Sequence, residues 1–235
     1  MKIQCVWEHN GNDSLLYACN VPGAFARGES LEAALAKMPA EIAAFLRWKG
    51  EKALESPEIA VVQEKSSELE ICDADSDVLF DSEKGPLSRE QYDTLKALAL
   101  RSAADFLALY EAIPDRRRSA LPPRRTFYGD VPRTAEEMYL HTKNVNSYYW
   151  GEISVEADNK GTILECRLRG FEALEARPDF LGNRVYSGSY GEEWSLAKVL
   201  RRFLWHDRIH AKAMYRMGRA VFGRRAVPDV FRFEG

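Results

Sequence analysis

Hydrophobic positions in the second half of the chain recur in steps of three and four, which is the spacing of an amphipathic helix. The pattern predicts four helices after residue 86. Three of them begin with Ser or Thr followed three residues later by Gln or Glu, which is the signature of a capping box. These pairs are Ser88 with Gln91, Thr134 with Glu137, and Thr162 with Glu165. Four amphipathic helices of this length predict a helical bundle.

Prolines and long connections set the limits of these helices. The first is predicted to end near Ile113, before Pro114, and the fourth to run from about Glu192 to Phe222. Connections at residues 114–133 and 178–192 are long, so a topology with tight loops between successive helices does not follow from the pattern.

The first 85 residues carry a different pattern. KIQCVWE and SLLYACNV alternate as two strands of a hairpin, and EIAVVQE at residues 58–64 predicts a third strand. Between them, Ser30 precedes a helical stretch, LEAALAKMPAEIAAFLRW, in which Pro39 favours a kink. The result is a small β-β-α-β module, which makes the whole chain α+β.

Charge divides the chain at the same place. Residues 1–85 carry 8 basic and 16 acidic side chains, whereas residues 86–235 carry 25 basic and 20 acidic ones. The acidic stretch CDADSDVLFDSEKGP ends in a Gly-Pro breaker, as a linker or a terminal loop would. We therefore predict two domains, 1–85 and 86–235, and expect the second to fold alone because its stripes can close one core.

Composition indicates an ordinary protein of 235 residues with a formal charge of −3. No apolar run approaches the roughly 20 residues that cross a bilayer, and the N-terminus, MKIQCVWEHN, lacks the apolar core of a secretion signal. We expect a cytoplasmic protein with no membrane partner. The four cysteines are scattered without a C-x-x-C pair, so neither a disulfide framework nor a cysteine zinc site is expected.

Three histidines interrupt the apolar stripes. His206 and His210 lie one helical turn apart in FLWHDRIHAKAMYRM, and His141 continues the stripe of Met138 and Val145. A single such histidine is usually a core residue that a neighbour hydrogen-bonds. Three together favour a shared metal ion, because each unpartnered buried imidazole costs about 1–3 kcal/mol.

Other residues near the histidines are weaker candidates. Glu137 and Asn144 flank His141 and are possible catalytic residues, although Glu137 also fits the role of a helix cap. Asp207 points away from His206 and suits a salt bridge between helices. An aromatic set, Tyr148, Tyr149, Trp150 and Trp205, either walls a pocket or packs in the core.

The segments LWHDRIHAKAMYRMGRAVFGRRAVP and EEMYLHTKNVNSYY resemble the last and second helices of the DinB/YfiT-like family of metal-binding four-helix bundles. The resemblance covers most of residues 86–235 and implies that His141, His206 and His210 are the ligands of a divalent metal ion. Zinc and nickel are the ions we expect first. Characterised relatives include thiol S-transferases and a mycothiol-dependent isomerase. The resemblance thus implies a thiol-dependent transferase or a metal-assisted hydrolase, with a low-molecular-weight thiol and a small electrophile as partners.

The segment NVPGAFARGESLEAAL resembles the N-terminal module of HicB-like proteins, which are associated with antitoxins. No helix-turn-helix or ribbon-helix-helix pattern follows it, and the acidic charge disfavours phosphate contacts, so we expect no nucleic-acid partner. The alternative function is therefore a non-enzymatic interaction or stress-response protein, with a partner-binding module and a structural or vestigial metal site. An exposed aromatic helix face is compatible with a homodimer.

Overall fold

A computed structural model of the protein describes residues 2–234 and shows a mixed α+β fold. Four strands form one sheet in the order β3-β2-β1-β4, where β1 is Lys2–His9, β2 is Ser14–Ala18, β3 is Phe25–Gly28 and β4 is Glu58–Ser66. Strand β1 pairs antiparallel with β2 and parallel with β4. Strand β3 was not predicted, since its sequence FARG is too short to alternate and its pairing with β2 defines it.

Helix α1, Leu31–Lys49, connects β3 to β4 and continues through Pro39. The other helices are α2 (Arg89–Glu111), α3 (Ala135–Gly151), α4 (Ile163–Glu175) and α5 (Leu196–Phe222). Two short hairpins lie in the long connections: β5 (Arg125–Thr126) with β6 (Gly129–Asp130), and β7 (Tyr186–Ser187) with β8 (Glu193–Trp194).

Local signals set the helix starts. The three predicted capping boxes are present at the N-termini of α2, α3 and α4. Helix α5 begins at Leu196, four residues later than the predicted start at Glu192. The reason is that Glu193 and Trp194 pair as a strand and the Ser195 side chain then accepts a hydrogen bond from the Lys198 amide as the N-cap.

Helices α2 to α5 pack on one another, with α2 in contact with α3, α4 and α5. On α4, Leu168 is exposed although it lies at helical spacing from Leu164 and Phe171, whereas Arg167 and Gly170 are buried. Gly170 lies against the indole of Trp150, where a Cβ would come within 2.0 Å of Nε1. The buried face of α4 is thus set by the close contact of Gly170 with Trp150 and by the buried ion pair of Arg167 with Asp207, more than by the spacing of its leucines.

The sheet and the helices share their buried residues. One face of the sheet packs on α1 through Ile3, Cys5 and Leu16. The opposite face, which includes Val6, Leu15 and Tyr17, packs against Trp205 of α5. The N-terminal module therefore covers a side of α5 that a free bundle would expose to solvent.

The acidic stretch before Gly85, which we expected to be a linker, packs on α5. The Arg201 guanidinium pairs with the buried Glu83 carboxylate at 2.5 Å and donates to the Val78 carbonyl at 2.9 Å. Lys198 Nζ donates to the Asp77 carbonyl. The residue-85 boundary is thus crossed by buried polar contacts as well as by apolar packing.

Within the part of the chain that the structure describes, no helix has the length and apolar character needed to cross a membrane.

Candidate metal centre

Helices α3 and α5 pack side by side and bring three histidines together. His141 lies in the second turn of α3. His206 and His210 lie one turn apart on α5, so their imidazoles leave the helix on nearly the same side. Because α3 packs against α5, the His141 ring lies opposite the rings of His206 and His210.

The three rings face one another at short range. His141 Nε2 and His206 Nε2 are 3.2 Å apart. The ring centroids are separated by 5.0 Å (His141 to His206), 4.7 Å (His141 to His210) and 4.5 Å (His206 to His210). One nitrogen from each ring lies within 4.8 Å of the other two. Two nitrogens bonded to one tetrahedral ion at about 2.0–2.1 Å are about 3.3 Å apart, so the group can hold a metal ion.

Burial differs among the three histidines. His206 is buried, His210 is half-buried and His141 is exposed. The prediction that His141 points into the core is thus wrong. The buried face of α3 is displaced from the predicted stripe and carries Thr142 and Asn146, whose side chains donate to the backbone carbonyls of Met138 and Cys166. His141 lies at the solvent edge of the site as a result.

The rings are held in the neutral form. Burial lowers the pKa of His206 well below its ordinary value, and the nearby His210 and His141 lower it further. His141 is exposed as a residue, but its ring loses part of its solvation against the other two rings, which lowers its pKa. Burial of His210 and the nearby His141 lower the pKa of His210 to about 3. Neutral imidazole is the form that binds a metal ion, so the ring nitrogens of the group are available as ligands near neutral pH.

The inner nitrogen of the His206 ring is enclosed by packing. This nitrogen, Nδ1, is buried and has no hydrogen-bond partner in the described part of the chain. The rings of Tyr149 and Trp205 lie 6.0 and 6.3 Å from the His206 ring, centroid to centroid. These two aromatic side chains line the buried side of the site. Tyr149 also packs in the core, so it has both of the roles that the sequence offered for the aromatic set, lining the site and packing in the core.

The other predicted site residues lie elsewhere. The Glu137 carboxylate accepts hydrogen bonds from the amides of Arg133 and Thr134 at 2.7 and 3.0 Å, so it acts as the helix cap. Asn144 is exposed and its carbonyl accepts from the Asn159 side chain, and its catalytic role stays a prediction.

Asp207 forms the salt bridge between helices that its position predicts. Its carboxylate receives two hydrogen bonds from the buried guanidinium of Arg167 on α4, at 3.2 and 3.4 Å. The Arg167 guanidinium also lies 3.6 Å above the Phe203 ring. Asp207 is therefore committed to this buried ion pair between α4 and α5 and does not join the histidines.

Among residues 2–234, no cysteine, aspartate, glutamate or further histidine completes this group. Three protein ligands leave at least one position on an ion for water or a small molecule, which is the arrangement of catalytic rather than structural zinc sites.

Sequence reasoning missed Arg202, which precedes His206 by one helical turn and is buried beside it. The available signal was an arginine inside the apolar stripe between Val199 and Phe203, at the position four residues before a candidate ligand.

Comparisons with models of known protein families, with curated proteins and with solved structures find no match to this chain. The resemblances to DinB-like and HicB-like proteins therefore rest on the sequence motifs alone.

Proposed function

We propose that His141, His206 and His210 bind one divalent metal ion and that the protein is an enzyme acting on small molecules at that ion. The observation that carries the proposal is the convergence of three neutral imidazoles from two helices, with the closest nitrogens 3.2 Å apart. Nothing in the local backbone requires this arrangement, because His141 lies 65 residues from its partner in the chain.

The chemistry follows from the ligand set. A divalent ion on three neutral imidazoles keeps its full charge and lowers the pKa of a bound thiol or water toward neutrality, which makes it a nucleophile. His141 is exposed to solvent, whereas Tyr149 and Trp205 are buried beside His206. A small substrate can therefore approach from the α3 edge.

The DinB-like motifs support thiol-dependent transfer as the reaction. In that family the ligands come from the second and last helices of the bundle, and α3 and α5 hold these places among α2 to α5. We accordingly propose a low-molecular-weight thiol as the nucleophile and a small electrophile as its acceptor, with zinc or nickel as the ion. Metal-assisted hydrolysis is the variant in which water replaces the thiol.

The experiment uses full-length protein loaded with zinc or nickel, a set of small thiols, and chlorodinitrobenzene as the electrophile. A nitrophenyl ester without thiol tests hydrolysis. We expect turnover that depends on the ion and that is lost in His206→Ala. Metal-loaded protein without turnover in either assay would overturn the enzymatic proposal and favour a structural ion in an interaction protein.

A further inference from the structure

Arg202 of α5 is 8% exposed, and two of its guanidinium nitrogens, Nε and Nη1, are buried without a hydrogen-bond partner among residues 2–234. Burying a permanent positive charge without an acceptor is costly, so such a group is either compensated by its surroundings or kept for a ligand. Among residues 2–234 the indole Nε1 of Trp205 is likewise buried and unpartnered. Two residues with unsatisfied donors therefore lie three positions apart on α5.

This place adjoins the histidine site. The Arg202 guanidinium carbon lies 4.7 Å from the centre of the Trp205 ring and 5.7 Å from that of Tyr149. The same two rings are the aromatic neighbours of His206. Arg202 and His206 are four residues apart on the helix, which places their Cα atoms about 6 Å apart along its axis. One small molecule can span that distance.

The carboxylates around Arg202 do not neutralise it through direct contact. Glu192 pairs with Lys198 at 2.9 Å. Glu8 accepts from the Ser76 hydroxyl and from the Val78 amide. Asp75 is half-buried, and no acidic side chain within the described residues forms an ion pair with Arg202 at 4 Å or less. Within the described residues, the Arg202 guanidinium is thus left without a direct acceptor.

We infer that Arg202, with Trp205 Nε1, binds the carboxylate of a small substrate whose other end reaches the metal ion. This rests on the proposed function and names its substrate class: a compact thiol or electrophile that carries a carboxylate. A carboxylate has two oxygens and about four lone-pair sites, which suits the three unpartnered nitrogens. Bonds from a guanidinium to a carboxylate are charge-assisted and stronger than neutral hydrogen bonds.

Arg208 provides the matched control. It is also buried on α5, and within the described residues its Nε and Nη1 are unpartnered. Its guanidinium, however, lies among four aromatic rings at 5.1 to 5.9 Å, and none of these rings contacts the histidines. These rings belong to Phe45, Trp48, Phe231 and Phe233. An effect that comes only from losing a buried arginine should appear in both Arg202→Met and Arg208→Met.

The experiment titrates cobalt-loaded protein with mercaptopropionate and with mercaptopropanol, following the absorption band that forms when a thiolate binds cobalt. We expect the parent and Arg208→Met to bind the acid at least about tenfold more tightly than the alcohol, as one charge-assisted hydrogen bond supplies. Arg202→Met should lose this preference while binding the alcohol unchanged. Thermal unfolding should show Arg202→Met no less stable than the parent, which a purely structural role would not allow.

A preference that persists in Arg202→Met comes from chelation of the ion by the acid and would overturn the inference while leaving the metal site intact. If the parent takes up no cobalt, the proposed function fails. Titrating the metal-free protein with acetate, followed by tryptophan fluorescence, then tests anion binding at Arg202 alone. Saturable quenching in the parent that Arg202→Met abolishes would support the anion site, and its absence would refute it.

Discussion

The Nε2 atoms of His141 on α3 and His206 on α5 face each other at 3.2 Å. Two neutral imidazoles in this relation can share only one proton, because the nitrogen that accepts cannot also donate. A metal ion between them satisfies both lone pairs and adds His210 as the third ligand, whose ring lies 4.5 Å from that of His206. The pair is therefore the geometric core of the proposed site.

The buried ion pair between Arg201 and Glu83 predicts a large effect on stability. Glu83→Ala leaves the Arg201 guanidinium buried with only the Val78 carbonyl as acceptor, so we expect the free energy of unfolding to fall by about 3–5 kcal/mol. Urea unfolding measures this. Arg117→Ala, which removes an exposed pair with Glu136, is the control and should leave the midpoint nearly unchanged. Equal effects of the two variants would contradict the assignment.

Glu8 predicts a pH dependence of stability. Burial raises its pKa from an ordinary 4.5 to about 7. Between these values the native state binds more protons than the unfolded state, so the contribution of Glu8 to stability is present below pH 4.5 and is lost as pH rises through about 7. Relative to Glu8→Gln, the parent should lose about 1–3 kcal/mol across this window. Parallel stability curves for the two proteins would show that Glu8 titrates normally.

Gly170 predicts a steric limit at the contact of α4 with α3. An added methyl would come within 2.0 Å of Trp150 Nε1, and that indole is fully buried. Although alanine favours a helix more than glycine does, we expect Gly170→Ala to lower the free energy of unfolding by about 1–3 kcal/mol through overpacking. Gly182→Ala is the control, since its methyl meets no atom within 4 Å. A stabilised Gly170→Ala would mean that α3 and α4 do not approach this closely.

Because of the contacts across residue 85, we expect the isolated fragment 86–235 to be less stable than its amphipathic stripes predict. Removing the first 85 residues takes away Glu83, the partner of Arg201, and exposes Trp205, which is almost wholly buried in the full chain. The fragment should show helical circular dichroism but weak near-ultraviolet signal and a tendency to aggregate. A fragment as stable as the full chain would establish the two-domain division.

The features that the sequence predicted are those set by neighbouring residues. The capping boxes at Ser88, Thr134 and Thr162 depend on side chains three residues apart, and the spacing of His206 and His210 depends on one helix. These predictions are confirmed. Convergence of His141 on them was a hypothesis that the packing of α3 on α5 bears out.

What the sequence did not predict depends on distant partners. Lys198, Arg201 and Arg202 are buried because the N-terminal module and residues 77–83 cover α5. No local pattern indicates this burial for Lys198 and Arg201, and for Arg202 the only local signal is its place in the apolar stripe four residues before His206. The buried face of α3 was predicted at the wrong positions for a related reason. Thr142 and Asn146 look polar in sequence but lie in the core, where backbone carbonyls accept their hydrogen bonds.

Metal content of the full-length protein, purified without a histidine tag and incubated with zinc or nickel, tests the central claim most directly. We predict about one ion per chain in the parent and a sharp loss in His141→Ala, His206→Ala and His210→Ala. His9→Ala is the matched control, because that histidine lies on β1 beside Glu64 and should not affect the content. Protein that stays metal-free, or a His206→Ala variant that retains the full content, would contradict the proposed site.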